Sequence, residues 1–325
     1  MTSTTRRRLI AASLLAPALP ATVRAQSDVR PPAVVRIVVP FGTGGSNDVI
    51  ARVVAPLLAK RLDTTVIVEN RAGAGGAIGA DHVARSAKDG ATLLLTSASL
   101  LTAAATQPKI PFDPITAFAP VSMLADGPML LAVPATAPYR TAADLIADAR
   151  TRPGALNYGT AGVGSIAHLS TEVLASMAGL RMVHVPYKGA AEALLGLGGD
   201  QIQLMITNYS SVASQLKAGK IKAIAVTSAR PSPAFPELQP VAMAVPGYGV
   251  DIWVGVFAPA GSPDALVQRY NRELNAIAAS PELKALLDPD GAAPGDLNPA
   301  AFGARMRDDL AMWRRIATER AIKVE

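Results

Sequence analysis

The chain has 325 residues, half of them hydrophobic, and a formal net charge of +6. This length and composition suffice for one large or two medium domains and argue against a disordered chain. The sequence contains no cysteine, which excludes disulfides, thiolate metal sites and a cysteine nucleophile. It shows no dense basic face of the kind that binds nucleic acid, so no nucleic-acid partner is predicted.

Residues 1–25 have the pattern of a secretory signal peptide. Three arginines, Arg6 to Arg8, precede an apolar run too short to span a bilayer, and small residues precede a cleavage site after about Ala25. The arginines fit either a twin-arginine signal or a general export signal. Removal of this segment leaves 27 basic and 25 acidic residues, a net charge of +2. We therefore expect an exported protein that is held together by its core.

Strand-like and helix-like segments alternate along the chain, which predicts an α/β fold with mostly parallel sheets and helices on both faces. The predicted strands are Val34–Val39, Thr65–Glu69, Thr92–Thr96, Val121–Leu124, Met129–Val133, Leu156–Tyr158, Met182–Val185, Ile202–Ile206, Ala223–Thr227 and Ile252–Ala258. The predicted helices are Val49–Leu62, Ala77–Ala87, Thr141–Arg150, Ile166–Ala178, Ala190–Leu197, Val212–Ala218, Pro263–Ala279, Pro281–Leu287 and Pro299–Glu319. Pro56 is expected to kink or split the first helix.

Two glycine-rich loops each connect a strand to a helix. The first, Pro40–Asp48, has three glycines followed by Ser46, Asn47 and Asp48, and the second is Gly159–Ser165. Glycine lets a ligand approach the main chain, and a helix N-terminus attracts anions. The first loop taken alone fits either an anion site or a plain tight turn. The second has the outline of a phosphate loop without its lysine, so its backbone favours a smaller anion such as a carboxylate.

Other motifs argue against a cofactor or a metal. The run Gly73–Gly79 resembles a dinucleotide fingerprint, but Ile78 stands where the third glycine belongs. His82, His168 and His184 are not spaced as metal ligands, and no serine lies in a G-x-S-x-G turn. We expect the histidines to be structural, with a second option that His168 shapes the second loop. For Tyr187, a ligand contact and an ordinary strand-end position remain equally open.

Two connections indicate that the chain crosses between two lobes. They lie near Asp126-Gly127-Pro128 and Gly247-Tyr248-Gly249. The predicted division is a signal peptide at 1–25, lobe one at 26–126 and 250–325, and lobe two at 127–249. Ligands of open α/β sheets bind at the carboxyl ends of strands, so facing lobes would enclose a site between them.

Several short motifs occur in a fixed order along the mature chain. They include Val39-Pro40-Phe41, Gly44-Gly45, Asp48, Val68-Glu69-Asn70-Arg71, Pro111-Phe112-Asp113-Pro114, Leu156-Asn157-Tyr158-Gly159, Gly164-Ser165, His168-Leu169, His184-Val185-Pro186-Tyr187-Lys188-Gly189 and Ala258-Pro259-Ala260-Gly261. Together, from about Val35 to the C-terminus, they resemble the Bug family, the periplasmic solute receptors of tripartite tricarboxylate transporters.

The resemblance implies a two-lobed, hinge-closing periplasmic binding protein of type II, a Venus flytrap that holds a small carboxylate largely through main-chain groups. It implies a ligand site with Phe41, Thr43, Gly44, Gly45 and Asp48 on lobe one and Thr160, Ala161, Gly162, Gly164, Ser165 and His168 on lobe two, with Tyr187 nearby; Ser97 and Asn208 complete the predicted set. Asp48 is expected to cap backbone N–H groups, because it would repel an anionic ligand.

The implied function is to deliver the carboxylate to a membrane permease, as a periplasmic monomer. A sensory receptor for the same ligands, or an enzyme that processes a carboxylate, is the alternative. Thr207 stands where the family often has an aspartate, which removes a partner for a ligand ammonium. The sequence therefore favours a ligand without an amino group.

Overall fold

The computed structural model describes residues 30–107 and 109–322, and the predicted signal peptide lies outside these ranges. The strands are β1 Val34–Val39, β2 Thr65–Asn70, β3 Thr92–Ser97, β4 Phe118–Pro128, β5 Leu130–Pro134, β6 Asn157–Thr160, β7 Val183–Pro186, β8 Leu204–Thr207, β9 Ile221–Val226, β10 Asp251–Pro259 and β11 Ala293–Pro294. The helices are α1 Ser46–Leu62, α2 Ala77–Ala84, α3 Ser99–Thr106, α4 Ala142–Thr151, α5 Ile166–Ala178, α6 Ala190–Gly198, α7 Tyr209–Lys217, α8 Asp264–Ala278, α9 Pro281–Leu287 and α10 Pro299–Glu319.

The strands form two sheets, and each sheet is the centre of one lobe. The first sheet has the order β11-β4-β10-β3-β1-β2, and the second has the order β7-β6-β8-β5-β9. In the first sheet β1 to β4 point one way, whereas β10 and β11 run antiparallel to their neighbours. In the second sheet β5 alone of the described strands opposes the others. Most strands of each sheet therefore share one direction, and the predicted fold class is confirmed.

The chain passes directly from one sheet to the other. β4 ends at Pro128 and β5 begins at Leu130, so only Met129 separates the sheets; the return runs between Val226 and Asp251. The predicted link Asp126-Gly127-Pro128 thus belongs to β4, which pairs with β10 along nearly its whole length. The exact lobe limits of 26–126, 127–249 and 250–325 remain a prediction.

Several elements differ from the sequence-based prediction. α1 begins at Ser46 rather than Val49, and it continues through Pro56 to Leu62. Pro56 does not split it, because the buried face with Ile50, Val54 and Leu58 holds the helix against its neighbours. α7 begins at Tyr209 rather than Val212.

α3 is a helix that the sequence analysis missed. It is short, and its residues from Ser99 to Ala103 are all buried. Five consecutive buried residues leave no polar face in this part of the helix, so the usual helical alternation of apolar and polar residues is absent. The consequence is that Ser99, which follows the predicted strand Thr92–Thr96, lies in the first turn of a helix.

The C-terminal helix α10 packs on the first sheet. The ring of Phe302 lies 5.4 Å from that of Trp253 in an edge-on contact and 5.2 Å from that of Phe257. Gly255 of β10 leaves room for this ring, since an added Cβ there would overlap Phe302. This aromatic cluster fixes β10 and β4, the two strands next to the crossing between the lobes.

A carboxylate from the first lobe reaches the second lobe beside the cleft. Asp290, which follows α9, accepts hydrogen bonds from the Ser210 N–H at 2.6 Å and the Ser210 hydroxyl at 2.8 Å. Ser210 lies in the first turn of α7, where a helix N-terminus favours a carboxylate. Burial nevertheless raises the pKa of Asp290 to about 6, and the two hydrogen bonds from Ser210 only partly oppose this effect.

We expect Asp290→Asn to stabilise the protein at neutral pH. The folded pKa of about 6 lies above the unfolded value, so this group's contribution to stability is intact below about pH 4 and is lost as the pH rises through 6. The asparagine does not ionise, so the variant should gain at most about 3 kcal/mol at pH 7 over wild type. Urea unfolding between pH 4 and 8 measures the difference.

The matched control for this pair is Asp288→Asn, an exposed aspartate two residues away. It should follow the wild-type pH profile. An Asp290→Asn protein that is equally or less stable than wild type at pH 7, with a parallel profile, would contradict the expectation.

Candidate functional site

A small cavity lies between the lobes. Residues of both sheets line it where their strands end at the carboxyl side, as expected for open α/β sheets. Its polar lining consists of Ser46, Asn47, Asp48, Ser97, Ser99, Thr160, Ser165, Thr207, Asn208 and Ser211. Its apolar lining includes Phe41, Met129, Ala161, Ile166, Met205, Ile206 and Ile252. An apolar lining combined with polar groups that converge from several elements is typical of a small-molecule site.

The first glycine loop is held from behind by Asp48. Asp48 Oδ2 accepts the Gly44 N–H at 2.9 Å, and Oδ1 accepts Asn70 Nδ2 at 2.9 Å. Arg52 Nε donates to Oδ2 at 3.0 Å, and Asn70 also donates to the Phe41 carbonyl at 3.1 Å. Burial raises the pKa of Asp48, but the hydrogen bonds from Arg52, Gly44 and Asn70 outweigh burial and lower it overall. The carboxylate therefore stays ionised, paired with Arg52, and acts on the loop backbone as predicted.

The second glycine loop is held by two histidines. His168 Nδ1 accepts the Gly164 N–H at 3.1 Å, and His184 Nε2 lies 2.7 Å from Thr160 Oγ1, which itself accepts the Gly162 N–H at 3.2 Å. The two imidazoles stack with centroids 3.7 Å apart. Burial lowers the pKa of His168 to about 3, with a further contribution from His184, and lowers that of His184 to about 4. Both rings are therefore neutral at pH 7, and His168 shapes the loop.

Two further helices, α3 and α7, complete the cavity. Each contacts the helix that follows the glycine loop of the other lobe: α7 contacts α1, and α3 contacts α5. The first N–H of α1, on Ser46, donates to Ser211 Oγ of α7 at 3.0 Å. The first N–H of α5, on Ile166, donates to Ser99 Oγ of α3 at 3.1 Å. Each bond joins the two lobes, so each lobe contributes one helix N–H and one serine hydroxyl.

Additional bonds reinforce both pairs. Ser46 Oγ donates to Asn208 Oδ1 at 3.2 Å beside α7, and Thr102 Oγ1 of α3 donates to the Gly164 carbonyl at 2.8 Å. Gln107 Nε2, after α3, donates to the Val163 carbonyl at 2.8 Å. The two lobes thus meet in a closed arrangement around the cavity.

The electrostatics of the cavity suit an anion. α1, α3 and α5 begin at lining residues, and α7 begins directly after Asn208, so the positive ends of four helix dipoles face this space. Among the described lining residues, Asp48 alone carries a charge, and Arg52 neutralises it. Asn47 is only 6 % exposed, and its Oδ1 has no hydrogen-bond partner within the described residues.

The structure brings eight of the predicted site residues to the cavity wall: Phe41, Gly45, Asp48, Ser97, Thr160, Ala161, Ser165 and Asn208. Six others lie outside the wall: Thr43, Gly44, Gly162, Gly164, His168 and Tyr187. Thr43 and Gly44 are exposed. Gly162, Gly164 and His168 form the hydrogen bonds within the second loop.

Tyr187 turns away from the cavity because it packs on α6. Its ring and hydroxyl lie against Gly196, where an added Cβ would overlap the phenol, and its hydroxyl lies 3.5 Å from Gln201 Oε1. Of the two options left open by the sequence, the structure therefore favours an ordinary strand-end position for Tyr187 over a place in the cavity wall.

The sequence analysis missed five polar lining residues: Ser46, Asn47, Ser99, Thr207 and Ser211. A usable signal existed for the first three, since Ser46 and Asn47 follow the first glycine loop and Ser99 follows a strand. Ser211 had no such signal, because the start of α7 was placed three residues too late.

Within residues 30–107 and 109–322, no three His, Asp or Glu side chains approach one another closely enough to hold a metal ion. In the same ranges no helix combines the length and hydrophobicity that a bilayer span requires.

Asp48→Ala should destabilise the protein by about 2–3 kcal/mol, because it removes the buried carboxylate that accepts the Gly44 N–H and the Asn70 amide. Asp81→Ala is a matched control, since Asp81 and Arg85 form the same kind of pair one helical turn apart. The Asp81 side chain is 28 % exposed against 4 % for Asp48, so the control should lose under about 1 kcal/mol. Equal losses in urea unfolding would contradict this role of Asp48.

His168→Asn should flatten the acid side of the stability profile. The folded pKa of about 3 lies below the unfolded value, so the unfolded state binds more protons as the pH falls below about 6.5, and stability drops. Asparagine can still accept the Gly164 N–H but does not titrate, so the slope between pH 6 and 4 should decrease by up to about 1.4 kcal/mol per pH unit.

The control for this variant is His82→Asn, on α2 and outside the cavity wall. A His168→Asn profile parallel to that of wild type between pH 6 and 4 would show that His168 is not held neutral.

Comparisons with known proteins agree with this geometry. Residues 50–322 match the sequence profile of the family described as "Tripartite tricarboxylate transporter family receptor". BugT of Bordetella pertussis is 33% identical over 302 residues, which cover 92% of this chain and 93% of BugT. A protein encoded in the tcbD-tcbE intergenic region of Pseudomonas sp. (strain P51) is 34% identical over 316 residues, covering 97% of this chain and 94% of the relative.

Solved structures share the fold. The periplasmic binding protein BugD superposes with a TM-score of 0.86 and 31% identity, covering 91% of this chain and 100% of that one. An R. palustris protein with adipate superposes with a TM-score of 0.84 and 35% identity, covering 89% of this chain and 98% of that one. MatC from Rhodopseudomonas palustris with bound malate superposes with a TM-score of 0.83 and 28% identity, covering 87% of this chain and 98% of that one. This chain therefore belongs to the tripartite tricarboxylate transporter receptor family and has the two-lobed fold of periplasmic binding proteins.

Proposed function

We propose that the protein is an extracytoplasmic receptor that captures a small carboxylate between its lobes and delivers it to a tripartite tricarboxylate transporter permease. The observation that carries the proposal is the convergence of four helix N-termini on one cavity that has no cationic side chain among its described lining residues. Such a site binds an anion through neutral donors. The buried Oδ1 of Asn47, which has no partner within the described residues, is a second sign that the cavity receives a polar group, one that donates a hydrogen bond to this oxygen.

The ligand that fits this lining best is an aliphatic dicarboxylate. Phe41, Met129, Met205 and Ile252 offer apolar contact for a carbon chain, and the polar lining comes from both lobes. Among the structural relatives, one is described with adipate and another with malate. Both are dicarboxylates.

A ligand ammonium has no evident partner. Both carboxylate oxygens of Asp48 already accept hydrogen bonds from Gly44, Arg52 and Asn70, and position 207 is a threonine. A buried ammonium without a counter-charge is strongly unfavourable. We therefore propose that the ligand carries no amino group.

Binding and closure are coupled in this proposal. The predicted contact residues on the cavity wall belong to both lobes, so the ligand reaches its full set of partners only when the lobes close. Closure presents one shape to the permease in the periplasm. The receptor acts as a monomer and returns the acid chemically unchanged.

A thermal-shift screen of small organic acids tests the proposal on the purified mature protein. Adipate and malate should raise the unfolding temperature, since a ligand at 100 times its Kd adds about 2.7 kcal/mol of stability. Their dimethyl esters, which lack the negative charge, and aspartate, which carries an ammonium where malate has its hydroxyl, should give much smaller shifts.

Small-angle scattering with the tightest-binding acid from the screen should show a smaller radius of gyration. NMR spectra of the acid after incubation with the protein should show it chemically unchanged. A screen in which esters stabilise as well as acids, or an acid consumed by the protein, would contradict the receptor proposal.

A further inference from the structure

We propose that Ser99 and Ser211 act as hydroxyl relays, each passing a helix N–H of the opposite lobe on to an oxygen of the bound solute. This inference rests on the proposed function and assigns affinity-determining roles to two residues of that site. Its basis is the crosswise pairing of Ser46 N–H with Ser211 Oγ at 3.0 Å and of Ile166 N–H with Ser99 Oγ at 3.1 Å.

Both hydroxyls are placed to act on the cavity. Ser99 and Ser211 are 2 % and 7 % exposed and line the cavity wall. They lie in the first turns of α3 and α7, so they add hydrogen-bonding groups to the positive ends of two helices. Water does not reach them freely, so each hydrogen bond they make is stronger than on the surface.

The chemistry of a serine hydroxyl permits the relay. A hydroxyl has two acceptor lone pairs and one donor hydrogen, so Ser211 can accept the Ser46 N–H and still donate its own proton. Ser97 Oγ lies 3.0 Å from Ser99 Oγ and supplies a second donor to it, which directs the Ser99 proton to another acceptor. An N–H that donates to a hydroxyl polarises the O–H bond and makes it a better donor to a carboxylate oxygen.

The relays couple the solute to lobe closure. In each one, the serine and the N–H that polarises it belong to different lobes, so the full donor strength exists only when the lobes are together. A carboxylate oxygen is held more strongly in the closed form than in the open one, which is the differential affinity that closure requires.

The test uses Ser99→Ala, Ser211→Ala and the double variant, with adipate and malate as probes in isothermal titration calorimetry. Each single variant should raise the Kd of the better acid roughly tenfold, because a hydrogen bond to a charged group is lost. The double variant should also lose most of the acid-induced decrease in radius of gyration.

Ser214→Ala and Ser86→Ala are the matched controls. Ser214 is exposed on α7, and the Ser86 hydroxyl bonds to the His82 carbonyl within its own lobe. Both controls should bind as wild type does. Ser99→Cys and Ser211→Cys keep the side-chain shape with a weaker hydrogen-bonding group, so they test the relay even where an alanine variant fails to fold.

The outcomes separate the two proposals. Wild-type protein that binds no acid would overturn the receptor function and the relays together. Wild-type protein that binds adipate or malate, with folded alanine or cysteine variants that bind equally well and close equally, would overturn only the relays.

Discussion

Peptide N–H groups in the first turn of a helix have no partner inside that helix, and here several such turns open into one buried space. A buried N–H without an acceptor is costly, so the arrangement is stable only when oxygen atoms are supplied from elsewhere. The fold supplies two of them across the cleft, from Ser99 and Ser211. The need for acceptors therefore governs how the lobes meet.

The same constraint explains the groups behind the loops. Each glycine loop leads into a helix that begins at the cavity wall, and glycine itself does little to fix the conformation of the loop. On the first loop the fixed point is an ionised carboxylate, Asp48, balanced by Arg52. On the second it is a stack of neutral imidazoles, His168 and His184. An ion pair behind one loop and neutral rings behind the other thus have the same effect: each orders the loop backbone without adding a net positive charge to the site.

The sequence predicted those features that depend on local pattern. Strand periodicity and glycine placement gave both loops and their helices, and the ordered motifs gave the two-lobed fold. Long-range packing could not be read in this way. α3 was missed because its first five residues are all buried, and the turn of Tyr187 away from the cavity depends on Gly196 of another element. Ser211 gains its place only from contact with Ser46, which is 165 positions away in the chain.

The glycines of the run 73–79, whose spacing argues against a dinucleotide site, have a mechanical consequence. Gly75 has a φ of 62° and lies so close to the Val163 carbonyl of the other lobe that an added Cβ would overlap it. The main chains of the two lobes are in contact at this point, so the lobes cannot close further. The depth of the closed chamber is thus fixed at its rim, so solutes of different length must be accommodated inside by bending or by the pliable thioethers of Met129 and Met205.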